Sequence, residues 1–318
     1  MKELFLSKLL YKYVVKHKPI SSTILHSVSM NLESLSGNLV HVNAIVRDNM
    51  PNGSDIGCVV AIHDVPGNDK SYCSLFKKMT KKGIRFLAIN LPGFGYSSYD
   101  DNLKCNSDER LSFTKNICKE LLHSNDNVLF MGLGRGCETA IKMTQECYPR
   151  KTIGCVVMSP YGIKNDHLRD HTLLFSIDHL FSSLKIFGSH QIKPLLDIRS
   201  QPIKRTIKEI DFSTLPPFLE QIVKRKQKFS LLYGSRNKII KPELSLSLTK
   251  FVPKCKFLNV FGGNEKNVIE VIKNNYENGD LNTVINIEYS KHKIQKSAPE
   301  FIVDLCEAML QNNKQKSK

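Results

Sequence analysis

Residues 127–140 read NVLFMGLGRGCETA, an apolar run that meets a cluster of glycines and continues into a helix-forming stretch. The pattern predicts a strand at 127–131 that turns sharply into a helix, because small residues on both sides let the chain reverse within a few positions. Gly132 and Gly136 are these outer small residues. The tip of such a turn has a strained backbone conformation that glycine adopts at no steric cost, and the tip is Gly134.

Apolar runs bounded by Gly, Pro, Asn and Asp alternate with polar, periodic segments along most of the chain. This order is typical of a mostly parallel sheet with crossover helices on its faces. We therefore predict an α/β fold with a central sheet and flanking helices. The predicted strands are 39–46, 58–62, 85–90, 127–131, 152–158, 229–233 and 284–289, and the predicted helices are 71–82, 107–123, 137–148 and 299–310.

One long segment interrupts this alternation. Residues 161–223 show no strand-like pattern but contain helical fragments at 173–186 and 201–210. Structureless loops of this length are uncommon in compact domains, so the segment is predicted to be an inserted helical cap over the strand ends, where ligands bind. The remaining divisions are a basic N-terminal segment, the two halves of the core and a basic tail: 1–35, 36–160, 224–312 and 313–318.

The chain has 318 residues and a formal net charge of +16. Such a charge makes an acidic partner worth considering, either a nucleic acid or an anionic membrane surface. The lysines, however, are spread along the whole chain, with denser patches only at 224–228 and 314–318, and no RNA-binding or helix-turn-helix motif accompanies them. Electrostatic binding is therefore a minor alternative.

Nine cysteines form no C-x-x-C pair, and several lie in apolar runs. The cysteines in apolar runs are predicted to be reduced, buried thiols, which favours a cytoplasmic location. The basic residues 1–18 lack an apolar run long enough to span a membrane. A mitochondrial targeting signal is the alternative interpretation of this stretch, and its lack of arginine argues against that alternative. No cofactor or metal is expected, because the histidines of the cap segment lack a ligand pattern: His167, His171 and His179.

Two further loops follow predicted strands and carry Pro-Gly turns. The first, HDVPG at 63–67, contains His63, Asp64, Pro66 and Gly67, and the second is LPGFGYS at 91–97. Together with the glycine-rich turn, they resemble the loops of α/β-hydrolases, in which the turn is the nucleophile elbow G-x-S-x-G. The resemblance implies the α/β-hydrolase fold with an inserted cap.

Two other stretches resemble one subgroup of this family in particular. SDER at 107–110 and GCETA at 136–140 are similar to an uncharacterised, largely nematode subgroup of α/β-hydrolase-like proteins, whose elbow usually reads GHSRGCENA. The similarity covers 53–160 well and the chain from 228 onward moderately, whereas the cap matches no known motif. No substrate is implied by this subgroup.

The resemblance also implies where a catalytic triad would lie. The elbow nucleophile corresponds to Gly134, the acid after the strand that follows the cap corresponds to Asn237 in YGSRNKII at 233–240, and the histidine corresponds to His292. Only His292 keeps the residue type of the family. No substitute is evident, since Cys137 is predicted to be a packing thiol on the helix after the elbow.

This chain also departs from the family's pattern at the oxyanion hole. Asp64 stands where the family has a glycine, and a carboxylate there opposes the negative charge of an acyl-transfer transition state. The backbone amides of Val65 and Arg135 would remain as donors that bind a carbonyl or an anion weakly. Loss of a triad acid alone costs about 10⁴ in turnover and loss of the serine about 10⁶.

These residues predict a catalytically inactive protein of hydrolase fold, a pseudoenzyme that binds a small molecule or a protein partner at the former pocket or the cap. A first alternative is an ester hydrolase or a lyase that uses His292 with a non-standard nucleophile, or with a water activated beside Asp64. The second alternative is the electrostatic binding of nucleic acid or membranes.

Overall fold

A computed structural model of the protein describes residues 23–34, 37–123, 126–146, 152–163 and 193–311. Its strands form one sheet in the order β1-β2-β4-β3-β5-β6-β7-β9-β8. The β1–β2 and β2–β4 pairs are antiparallel and all other pairs are parallel. The strands are β1 Ile24–Glu33, β2 Leu39–Asp48, β3 Cys58–Ile62, β4 Arg85–Ile89, β5 Val128–Leu133, β6 Thr152–Met158, β7 Lys228–Gly234, β8 Lys256–Val260 and β9 Asn282–Ile287.

Helices follow most of the parallel strands, as crossover connections require. They are α1 Cys73–Lys81, α2 Ser107–Leu121, α3 Gly136–Glu146, α4 Lys193–Glu209, α5 Pro216–Lys224, α6 Pro242–Leu246, α7 Glu265–Glu277, α8 Ile294–Ser297 and α9 Pro299–Gln311. Short 3₁₀ turns lie at Asp69–Tyr72, Phe212–Thr214 and Ser247–Phe251. The predicted α/β class with a mostly parallel sheet and flanking helices is confirmed.

Both faces of the central strands are covered, which explains why they are continuous apolar runs. Side chains alternate between the faces of β3, whose five residues are all buried. Val60 belongs to a core that includes Phe113 of α2, whereas its neighbour Val59 belongs to the opposite core with Phe76 of α1 and Phe301 of α9. Two apolar layers therefore hold the sheet between its helices.

The chain enters the sheet earlier than expected. Residues 1–35 were predicted to be a basic segment outside the core, but 24–33 form β1 and pair with β2 over their whole length. Along β1 and β2 buried and exposed residues alternate, because only one face of this antiparallel edge packs on the core. The prediction started the core at 36 and missed β1, since its alternating pattern is weaker than that of a buried strand.

The described part of the predicted cap is helical and contains no strand. Between β6 and β7 lie α4, the 3₁₀ turn at Phe212–Thr214 and α5. The predicted helix at 201–210 overlaps α4, which ends one residue earlier, at Glu209. The predicted helix at 173–186 lies outside the described residues. Arg205 of α4 donates to the carbonyl oxygen of Leu103 at 2.6 Å, which ties this segment to the chain after β4.

At the other end of the chain, β8 and α7 are elements that the sequence did not predict. β8 is an edge strand with mostly exposed side chains, so it lacks the apolar run by which the central strands were found. Among the described residues, no helix has the length and apolar character needed to cross a membrane. The loops after β3, β5, β7 and β9 leave the same edge of the sheet and bring the site residues together.

Candidate functional site

The elbow turn is built by close packing at its two outer glycines. A Cβ on Gly132 would lie 2.5 Å from the Cα of Cys137, and one on Gly136 would lie 2.4 Å from the carbonyl oxygen of Ile62. Any side chain at either position would therefore force α3 away from β5 or β3. This geometry positions the tip of the turn at the end of the sheet.

At the tip, Gly134 has a φ of +54°, the left-handed conformation expected there. The room for a side chain at this position is already filled. A Cβ on Gly134 would lie 2.3 Å from the Cγ of Asp64 and 2.4 and 2.5 Å from its two carboxylate oxygens. The carboxylate of Asp64, from the loop after β3, thus occupies the space that an elbow serine would need.

Both oxygens of this carboxylate are held by hydrogen bonds. Oδ1 accepts from the backbone amide of Val65 at 2.7 Å and from that of Arg135 at 2.9 Å. Oδ2 accepts from Nε2 of His292 at 2.7 Å. Burial alone would raise the pKa of Asp64, but the hydrogen bond from His292, together with the charge and the amide of Arg135, lowers the pKa below its ordinary value. Asp64 is therefore ionised near neutral pH.

These contacts change the prediction for the oxyanion hole. The amides of Val65 and Arg135 were expected to remain available for a weakly bound carbonyl or anion. Instead, both donate to the chain's own carboxylate, which is the strong, charge-assisted kind of hydrogen bond. A substrate carbonyl would have to displace Asp64 from both amides before it could be polarised.

The hydrogen bonds of Asn237 determine which nitrogen of His292 carries the proton. Its Oδ1 accepts from the amides of Ile239 and Ile240, at 3.0 and 3.1 Å, so its Nδ2 is the atom that faces His292. Nδ2 lies 3.5 Å from Nδ1 of His292 and has only hydrogens to offer. We therefore assign Nδ1 as an acceptor and Nε2–H as the donor to Asp64. A triad aspartate imposes the opposite tautomer, with Nε2 free to act as a base.

The loop after β3 is held by its own histidine. His63 donates from Nδ1 to the carbonyl oxygen of Asp64 at 2.7 Å, and its Nε2 accepts from the amide of Leu91 at 3.2 Å. Burial lowers the pKa of His63, while the bond to the carbonyl of Asp64 acts in the opposite direction. Pro66 follows a cis peptide bond, and a Cβ on Gly67 would lie 2.3 Å from the same carbonyl. The loop residues therefore position Asp64.

The side chain of Arg135 links the elbow to the chain after β6. Its guanidinium donates to the hydroxyl of Tyr161 at 2.6 Å and lies 4.2 Å from the centre of the same ring. It also contacts the carbonyl oxygen of Val65 at 3.4 Å. The positive charge adds to the field that keeps Asp64 ionised.

Behind the elbow, a buried charge network fastens α3 to α2. Glu138 accepts from Arg110 at 2.5 Å and from Lys142 at 2.9 Å. Lys142 also donates to the hydroxyl of Ser107 at 2.6 Å. Three of these residues, Ser107, Arg110 and Glu138, lie in the two stretches that narrowed the family resemblance, but the sequence alone assigned them no partner. Their role here is to position the elbow helix.

The thiol of Cys137, which was predicted to be a packing thiol, lies in the protein interior. Cys137 is fully buried on the first turn of α3, and its sulfur contacts the carbonyl oxygen of Met158 at 3.5 Å. Burial raises the pKa of this thiol well above its ordinary value. Such a thiol is a poor nucleophile near neutral pH.

Elsewhere in the described ranges, no three His, Cys, Asp or Glu side chains converge as metal ligands. A cavity of about 820 Å³ is lined by residues that precede β3, β4 and β5, including Ser54, Gly83 and Asp126. It lies at the amino ends of the strands, opposite the elbow, and so does not belong to the candidate site.

The ionised state of Asp64 leads to a prediction about acid stability. The ordinary pKa of an Asp carboxyl group is 3.8, and the pKa of Asp64 is lowered on folding. Such a group stabilises the folded protein at pH values above the ordinary pKa, and this contribution is lost as the pH falls through the lower pKa of the folded state. We expect the unfolding free energy of the wild type to exceed that of Asp64→Asn by a constant amount above about pH 5. The difference should shrink below pH 3.8. Urea titrations of both proteins between pH 7 and pH 3 measure this, and a difference that stays constant to pH 3 would contradict the assignment.

Comparison with known proteins agrees with the fold. The solved structures of similar fold include a bacterial membrane phospholipase A, with 14% identity, coverage of 97% of this chain and 92% of that chain, and a TM-score of 0.63. An esterase from Exiguobacterium antarcticum has 13% identity, coverage of 89% and 100%, and a TM-score of 0.62. A thermophilic esterase from Thermogutta terrifontis has 13% identity, coverage of 90% and 98%, and a TM-score of 0.60. At such identities the likeness shows the fold alone.

Curated proteins, by contrast, provide no significant match. A family model does match, over residues 23–311, and its description is "Alpha/beta hydrolase of unknown function (DUF1057)". This match spans the whole range that the structure describes, including β1 and the strands that lead to the elbow and to His292. The chain therefore belongs to this α/β-hydrolase family.

Proposed function

We propose that the protein does not hydrolyse acyl substrates and acts by binding a small molecule or a protein partner at the former active site. One observation carries this proposal. The carboxylate of Asp64 fills the space of the elbow side chain and also accepts both amides of the oxyanion hole. Gly134 provides no nucleophile, and the carboxylate of Asp64 both fills the space beside it and engages the donors that acyl transfer would need.

Each loss is large by the standards of serine hydrolases. Removal of the nucleophilic serine costs about 10⁶ in turnover, and an asparagine in place of the triad acid costs about 10⁴ because the histidine takes the wrong tautomer. Asn237 supports that wrong tautomer here, since only the donor end of its amide faces His292. The degenerate triad is therefore accompanied by a filled oxyanion hole.

A second candidate function is hydrolysis by a water molecule activated beside Asp64 and His292. The 2.7 Å contact between these two side chains favours it, because it brings together the two groups that such a reaction would use. Against it, Nε2 of His292 is the donor in this contact and so has no free lone pair for a proton. The binding proposal is better supported. Electrostatic binding, the cytoplasmic location and membership of the largely nematode subgroup stay predictions.

The test is the initial rate of hydrolysis of a short-chain nitrophenyl ester. We expect the wild type and His292→Ala to show the same background rate, because neither has a nucleophile or an open oxyanion hole. A wild-type rate well above background that is lost in His292→Ala would refute the proposal. Binding is measured separately as thermal stabilisation by candidate ligands, since a ligand at 100 times its Kd stabilises the fold by about 2.7 kcal/mol.

A further inference from the structure

We propose that the edge of the sheet that carries the candidate site is also a docking surface for an anionic lipid bilayer. The inference goes beyond the proposed function, because it concerns exposed side chains around the site and not the groups of acyl transfer. The cationic part of this surface, called the basic rim below, consists of Arg236, Lys238, Lys241, Lys291, Lys293 and Lys296.

The basic rim is formed by two short stretches that are far apart in sequence. Residues 235–243 follow β7 and residues 288–296 follow β9, and these strands are parallel neighbours in the sheet. The amide of Arg236 donates to the carbonyl oxygen of Ser290 at 3.1 Å, and a Cβ on Gly234 would lie 2.7 Å from the carbonyl oxygen of Lys291. The two stretches therefore touch. Along the sequence their lysines are spread among many others, so only the sheet brings them together.

The charge of the basic rim is not neutralised by nearby carboxylates. The two stretches contain six cations against two acidic residues, Glu243 and Glu288. All six cationic side chains are exposed. Among the described residues, none of the six forms an ion pair, whereas the buried cations Arg85 and Arg110 do. A surface of this kind is complementary to a partner that presents many negative charges at once.

Exposed apolar side chains lie at the same edge of the sheet. Ile239, within the first stretch, is 55% exposed, and Phe261, directly after β8, is 50% exposed. β8 is the parallel neighbour of β9, so Phe261 leaves the sheet beside the second stretch. Tyr96, after β4, is 39% exposed, and Nζ of Lys70 lies 5.7 Å from the centre of its ring. Cations attract anionic headgroups, and apolar side chains between them enter the boundary of the hydrocarbon layer.

The apolar side chains favour a bilayer over a nucleic acid. A nucleic acid would bind the same cations through its phosphates, and the rings of Tyr96 and Phe261 are able to stack on its bases. Ile239 has no ring to stack and lies between Lys238 and Lys241. A partner with an apolar interior uses this side chain together with the cations, whereas a chain of phosphates uses the cations alone.

The experiment measures sedimentation of the full chain with lipid vesicles. The wild type is expected to bind vesicles of phosphatidylcholine mixed with phosphatidylserine, to leave vesicles of phosphatidylcholine alone unbound, and to dissociate as salt screens the charges. The triple variant Lys238→Gln, Lys291→Gln, Lys293→Gln should bind the mixed vesicles about 100-fold more weakly, because each cation near an anionic bilayer contributes about a factor of five. The same three positions changed to arginine should bind as the wild type does, which separates loss of charge from loss of fold.

The matched control removes the same charge from the opposite edge of the sheet. Lys81, Lys119 and Lys224 are exposed in the last turns of α1, α2 and α5, which lead to the amino ends of strands. A strand of five residues puts about 17 Å between the two edges, more than the Debye length of about 10 Å. Replacing these three lysines by glutamine should therefore leave vesicle binding nearly unchanged.

A second variant tests the apolar contact. Ile239→Ser is expected to weaken binding to the mixed vesicles about fivefold, since roughly half of this side chain is left to bury. Absence of wild-type binding to the mixed vesicles, or an equal loss in the two lysine variants, would overturn the proposal. Binding to a labelled single-stranded oligonucleotide that is tighter than binding to the vesicles and is lost with the rim lysines would overturn it in favour of a nucleic acid. The nitrophenyl ester assay reports on the proposed function separately.

Discussion

The triple variant Asp64→Gly, Gly134→Ser, Asn237→Asp is expected to hydrolyse short nitrophenyl esters, a reaction that we expect the wild type not to catalyse. Asp64→Gly removes the carboxylate and frees the amides of Val65 and Arg135 for a substrate oxygen. Gly134→Ser places a hydroxyl in the space that the carboxylate leaves. The site then holds a nucleophile and an oxyanion hole beside the existing histidine.

The third substitution, Asn237→Asp, gives His292 the tautomer that a general base needs. An aspartate at 237 accepts the proton of Nδ1, so Nε2 of His292 can take the proton of the serine. We therefore expect the triple variant to be about 10⁴ faster than the variant with Asp64→Gly and Gly134→Ser alone, the cost of Asn in place of a triad Asp. Initial rates over a range of enzyme concentrations measure the ratio. A triple variant that folds but stays at the wild-type rate would show that the site has lost more than these groups.

Gly134→Ser alone is the control that tests whether a serine fits at this position while Asp64 is still present. Its Cβ would lie within 2.5 Å of three atoms of the Asp64 carboxylate, closer than real side chains approach each other. Overpacking of this kind costs about 1–3 kcal/mol. The single variant should therefore unfold at a lower temperature than the wild type without gaining activity, and Gly134→Ser should cost less stability when it is added to Asp64→Gly than when it is added to the wild type. An equal cost in the two backgrounds would contradict the observed overlap.

Glu138→Gln is expected to destabilise the fold by about 3–5 kcal/mol, the usual cost of breaking a buried ion pair from one side. The carboxylate of Glu138 is fully buried and is the partner of both Arg110 and Lys142, which are also buried. A glutamine keeps the shape but leaves two positive charges with a neutral partner. Since these residues join α2 to α3, the elbow helix loses its attachment.

The same helix provides a control of the same chemistry. Glu146 pairs with Lys115 at 2.9 Å, but both side chains are about 40% exposed, at 43% and 38%. Glu146→Gln should change stability by only about 0–1 kcal/mol, because exposed ion pairs contribute little. Urea denaturation of both variants measures the contrast. Similar values for the two would show that burial is not what makes the Glu138 network important.

The sequence predicted the central part of the fold because each of its elements has a strong local signal. β3, β4, β5 and β6 are continuous apolar runs between turn residues, and they lie where the pattern placed them. β1 and β8 were missed because they lie at the two edges of the sheet, where exposed side chains interrupt the apolar pattern. Local patterns thus identify strands that are buried on both faces and fail at the edges.

For the candidate site, the sequence identified the altered positions but not their relation to one another. It showed a glycine at 134, an asparagine at 237 and an aspartate at 64, and it predicted that the aspartate would oppose catalysis. That Asp64 fills the space at Gly134 could not be predicted, because its partner Arg135 is 71 positions away and its partner His292 is 228 positions away. Only the parallel sheet brings the three loops to one edge.

Residue types, their spacing and the length of apolar runs by themselves determined the family resemblance and the α/β class, and they placed a glycine and an asparagine where the resemblance implies a nucleophile and an acid. The tertiary structure alone decided which atoms fill the vacated space, which amides are engaged and which nitrogen of His292 carries the proton. The physical reason is the separation in sequence between the residues that interact. Turns and strands depend on interactions between near neighbours in sequence, whereas hydrogen bonding and steric exclusion at the site join loops that only the completed sheet places within a few ångströms of each other.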